Sequence, residues 1–93
     1  MNDNEQAMAL VSEFTLADLY IMAKEAETEY NSAKDDLEKN YWVIAATSGE
    51  INRAREEVNK LRRYSELLQK AYMEKRAIQK NRAREIIDKV PTL

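Results

Sequence analysis

The chain has no cysteine and no histidine, a single glycine and a single proline in 93 residues. Without cysteine there is neither a disulfide frame nor a thiolate to act as nucleophile or metal ligand. Without histidine the commonest general base and metal ligand is missing, and none of the four serines can belong to a Ser-His nucleophile. Phosphate-cradling loops need several glycines, and Gly49 stands alone. A β fold needs more turn residues than this chain has. No apolar run approaches the roughly 20 residues of a membrane span. The opening Met1-Asn2-Asp3-Asn4-Glu5 also lacks the positive charge of a secretion signal, so a cytoplasmic location is the expectation.

Carboxylates are plentiful, but acid/base catalysis needs two of them in a cleft with unequal surroundings. The Asp35-Asp36-Glu38 cluster reads instead as a solvated helix face. Helical di-metal centres place Glu and Glu-x-x-His groups toward a bundle core, a pattern foreign to a chain without histidine. The sequence therefore points away from an enzyme and calls for no cofactor or metal.

What the chain does have is charge and heptads. Charged residues make up 34% of it. Ile44, Ile51, Val58, Ser65 and Tyr72 recur every seven residues, with Ala54, Leu61 and Leu68 three residues after the middle members. This is the a/d seam of a coiled coil. An earlier run, Leu16, Ala23, Tyr30, Leu37 and Ile44, has Leu19, Ala26, Ala33 and then polar Asn40 at its companion positions. Thr15 and Asp18 form a capping box ahead of that run, with Phe14 stapled onto Leu19. Before it, Ala7, Leu10, Val11 and Phe14 share one face of a short helix, and residues 1–6 read as a polar, frayed end.

The register continues through Gly49, so one unbroken helix and a hairpin both fit it. A rod of some 75 residues would measure about 110 Å. Two observations favour the hairpin. Folding about Gly49, with Thr47 and Glu50 as a capping box, sets Leu37 near Leu61, Tyr30 near Leu68, Ala26 near Tyr72, Asn40 near Val58 and Ile44 near Ala54, so that most large residues meet small ones. It also lays residues 1–50, with eleven acids and three bases, along residues 51–93, with six acids and twelve bases. The sequence thus predicts one all-α domain: a long antiparallel, coiled-coil-like helical hairpin over 15–46 and 48–89, with a short N-terminal helix. That helix is expected to fold Leu10, Val11 and Phe14 over Ile78 and the Ile86-Ile87 pair.

A domain of this size has a marginal core, and a partner surface is expected. Tyr64, Leu67, Ala71 and Ile78 form a second apolar stripe beside the seam, while Ile21 and Trp42 fall outside it. Such a patch marks an interface, which self-association into a helical bundle would bury. The expected function is a non-enzymatic protein-interaction module, a small adaptor, assembly factor or inhibitor that works by docking helix on helix. Trp42, Tyr64, Leu67 and Ile78 are its anchors, and Ile21 and Ala71 belong to the same surface. The alternative is a nucleic-acid-binding protein. Between Glu74 and Glu85 there is no acid, and Lys75, Arg76, Lys80, Arg82 and Arg84 offer five positive charges to phosphates or to an acidic partner. Spread around the helix axis, they form no single clean basic face. The simplest role for them is to complement the acidic first helix.

Overall fold

The computed structural model describes residues 2–41 and 48–89, apart from the side chain of Ser48. Three helices, α1 (Asp3–Glu13), α2 (Leu16–Lys39) and α3 (Ser48–Lys89), account for nearly all of these, and no strand occurs among them. The fold is an all-α antiparallel hairpin of α2 and α3 with α1 packed on α3. Its extents of 72 × 26 × 15 Å are incompatible with a rod of about 110 Å.

Each boundary has a local cause. α1 begins earlier than the apolar pattern indicates, because the Asn2 side chain accepts a hydrogen bond from the Glu5 N–H at 2.8 Å. Asp3 and Glu5 then lie in the first turn, where the helix dipole favours carboxylates. Residues 2–6 are therefore capped helix rather than a frayed end. At the other end Phe14 and Thr15 are both extended, and the Thr15 hydroxyl accepts from the Asp18 N–H at 3.1 Å to start α2. This two-residue corner reverses the chain.

α2 stops at Lys39, short of the expected 46. The Asn40 N–H and its side-chain Nδ2 both donate to the Asp36 carbonyl, each at 3.0 Å, which closes the last turn. The expected cap at Thr47 and the expected seam residue Ile44 lie outside the described residues. Gly49 is not a turn residue. It sits in the first turn of α3 without a positive φ, and a Cβ added there would meet nothing within 4 Å.

The core is small and built largely from small side chains. Ala7, Leu19, Ala23, Ala26, Leu68 and Ala71 are buried together, with Ser65 beside them. Leu19 and Leu68 fill it, while the alanines and Ser65 let the helices approach closely. The Ser65 hydroxyl accepts from Gln69 Nε2 at 3.4 Å. The ring of Tyr72 lies 5.6 Å from that of Tyr20. Heptad pairing sets Ala26, six residues further on, opposite Tyr72, so the observed register differs from the inferred one. The reason is visible in the core: Leu68 shares its cluster with Ala23 and Ala26, whereas Tyr30 stays half-exposed at the edge. Toward the hairpin end, Leu37 and Asn40 share a shallow groove with Ala54 and Val58.

The position of α1 also differs from the expectation. Asp3 meets Arg63 at one end of α1 and Val11 meets Lys75 at the other, so α1 runs parallel to α3 along residues 63–75 and leaves Ile78, Ile86 and Ile87 uncovered. The tight corner dictates this. It holds the end of α1 beside the start of α2, which is fixed at the level of Tyr72 by Tyr20. An 11-residue helix spans only about 16 Å from there. The acidic and basic halves do not zip together either: among the described residues the ion pairs are Arg63 with Asp3 at 3.9 Å and Lys24 with Glu27 at 4.0 Å, none between α2 and α3. Both are solvent-exposed and add little to stability.

Candidate interaction surfaces

Past Lys75, α3 outruns the other described helices. Every residue from 76 to 89 is exposed, including Ile78 (41%), Ile86 (64%) and Ile87 (68%). A lone helix of this length, about 21 Å, is marginal in water and usually draws its stability from a packed face. Among the described residues no neighbouring helix provides one.

The basic residues at this end divide into two groups. Lys75 is half-buried and turned toward α1, where its ammonium donates to the Val11 carbonyl at 2.8 Å and to the Phe14 carbonyl. It satisfies carbonyls that the end of α1 leaves without helical partners, and its charge suits the negative end of the helix dipole. It is therefore a cap within the fold rather than a contact for a phosphate or an acidic partner. Arg76, Lys80, Arg82 and Arg84 are exposed and make no ion pair among the described residues. Because α3 continues as regular helix, Arg76, Lys80 and Arg84 stand at i, i+4 and i+8, within about 80° of arc. Only Arg82 points elsewhere, so a basic face does form, with Ala83 and Ile87 on it.

The second apolar stripe is largely occupied by the chain itself. α1 covers its middle, where Ala71 is fully buried and Leu67 packs half-buried against the core. Neither is available as a free anchor. Tyr64 remains exposed at the rim of an open groove of about 430 Å³ lined with Asp3, Gln6, Lys60, Arg63 and Lys70. Lys70 also donates to the Asn4 side chain. Ile78 lies beyond α1 on the bare arm, and Ile21 is exposed on the outer face of α2. Trp42 lies outside the described residues.

A feature that the heptad reading passed over is the composition of one edge of α2. Asp18, Glu25, Glu29 and Asp36, spaced 7, 4 and 7 residues apart, are all exposed on that edge with no base among them. None makes an ion pair among the described residues. Their spacing is legible in the sequence once the core face of α2 is known.

Among the described residues no group of three or more carboxylates is placed to hold a metal ion, and no helix is long and apolar enough to cross a membrane. No protein-family model matches the chain, and no curated protein or solved structure matches it significantly.

Proposed function

We propose that this protein is a non-enzymatic interaction module that works by presenting helical surface, in the manner of a small adaptor, assembly factor or inhibitor. The observation that supports this reading is the bare arm: 14 residues of regular helix with three exposed isoleucines and, among the described residues, nothing against them. The isoleucines stand around the helix, Ile87 about 180° from Ile78 with Ile86 between them, so a partner that wraps the arm removes apolar area from water and stabilises a helix that is marginal alone. The anchors are accordingly Ile78, Ile86 and Ile87, with Ile21 and Tyr64 as exposed residues elsewhere on the body.

A photo-crosslinking residue placed in turn at Ile78, Ile86 and Ile87 tests the reading. Discrete protein adducts from these positions, and none from Arg55 on the body, are the expected result. No protein adduct at any arm position would overturn it. The basic face formed by Arg76, Lys80 and Arg84 favours a second reading, contact with nucleic acid. It predicts adducts that disappear on nuclease treatment and binding that falls steeply with salt.

A further inference from the structure

We infer that the arm of α3 docks on the acidic edge of α2 in a second copy of this chain, reciprocally, in a twofold dimer. The inference rests on the docking role proposed for the arm and names its occupant.

Three observations converge on a second copy. The first is charge. The arm presents Arg76, Lys80 and Arg84 on one face over about 12 Å, and α2 presents Asp18, Glu25 and Glu29 on one edge over about 16 Å. Both sets are exposed and neither is ion-paired among the described residues. Complementary rows of this kind fix register and speed encounter. The second is reach. Within one chain the rows cannot meet, because the arm begins where α2 begins, at the level set by the Tyr20–Tyr72 contact and by Lys75 on Phe14, and runs away from it. The third is symmetry. A twofold axis beside residue 76 lays each arm over the body of the other copy, alongside the first 14 residues of its α2. Lys80 then falls near Asp18 and Arg84 near Glu25. Ile87 and Ala83 face the side of α2 that carries exposed Ile21. An isologous contact of this kind closes with the basic face, Ala83 and Ile87 of both arms covered.

Pairing the two arms with each other is the weaker geometry. Residues 76–89 hold five bases and two acids, so two arms side by side repel. It would also leave the acidic edges unmatched.

The test is a charge exchange read by sedimentation or light scattering, with circular dichroism to check folding. All the substituted side chains are exposed. The full-length chain is expected to dimerise, with self-association weakened at least about tenfold on going from low to high salt. Lys80→Glu with Arg84→Glu, and separately Asp18→Lys with Glu25→Lys, should each weaken it by more than about tenfold, since each sets like charges face to face. Mixing the two variants should restore a dimer, because each arm then meets an edge of opposite charge. A dimer indifferent to both exchanges, or variants that fail to pair when mixed, would overturn the assignment.

A monomer at every concentration would overturn it too, and amide exchange on that monomer separates the two levels of the claim. Unprotected amides over 76–89 would leave the docking role standing with another occupant, a nucleic acid if DNA binding is lost in the Lys80→Glu, Arg84→Glu variant. Protected amides would show a self-sufficient helix, and both would fall.

Discussion

Lys75→Met removes the ammonium that joins α3 to the end of α1 while keeping a side chain of similar length. Two charge-assisted hydrogen bonds are lost, to the Val11 and Phe14 carbonyls. A bond to a charged donor contributes about 1.5–3 kcal/mol, but the Phe14 carbonyl is exposed and water replaces its donor. The Val11 bond is part-buried and is less readily replaced. The lost helix-end charge interaction adds about 0.3–1 kcal/mol. The net expectation is a loss of about 1–2 kcal/mol, read from urea unfolding of the full chain. At a dilution where the chain is monomeric, Arg76→Met, the neighbouring charge change on the exposed arm, should fall within about 0.5 kcal/mol of wild type. The loss should also be concentrated in α1, whose amides should exchange about 5- to 30-fold faster relative to those of α2. If Lys75→Met and Arg76→Met shifted stability equally, or if α1 exchange were unchanged, the role assigned to Lys75 would be wrong.

Two further substitutions probe the hairpin. Gly49→Ala should stabilise the chain by about 0.5 kcal/mol in thermal unfolding, because Gly49 is helical and a methyl there meets open space. A loss of stability would mean that the chain needs a glycine conformation at that point. Leu68→Ala, at a fully buried side chain, should cost about 2–5 kcal/mol in chemical unfolding. Ile87→Ala on the bare arm should cost less than about 0.5 kcal/mol in the dilute monomer, and the reverse order would place the core elsewhere.

Much of the architecture was legible in the sequence because it rests on local rules. The Thr15 cap and the seam residues Leu19, Ala23, Ala26 and Leu68 follow from spacing, and the hairpin was expected too, although neither the residue pairing nor the charge zipper inferred for it occurs. The start of α1 was legible too, since Asn2-x-x-Glu5 is a capping pattern, although it lies ahead of the first apolar residue of the helix face, Ala7. Register was not legible: alanines at Ala23 and Ala26 and Ser65 at a seam position accept a large neighbour at more than one offset, so seven-residue spacing leaves the sliding of α2 along α3 open. Nor was the path of α1. It depends on the tightness of the Phe14-Thr15 corner and on the Lys75 cap, both of which join residues distant in sequence. That same path buries Ala71, half-buries Leu67 and strips the arm, which is why the interface residues read from the apolar stripe were only partly those left exposed.

Hydrogen exchange along α3, amide by amide and at a dilution where the chain is monomeric, tests the central claim most directly. Strong protection is expected around Ser65, Leu68 and Ala71, then a step at Lys75, and near-unprotected amides through Ile78, Ile86 and Ile87. Amides of Ile86 and Ile87 protected in that monomer as strongly as Leu68 would mean that the chain covers or sustains its own arm, contradicting the reading of that arm as a surface awaiting a helix.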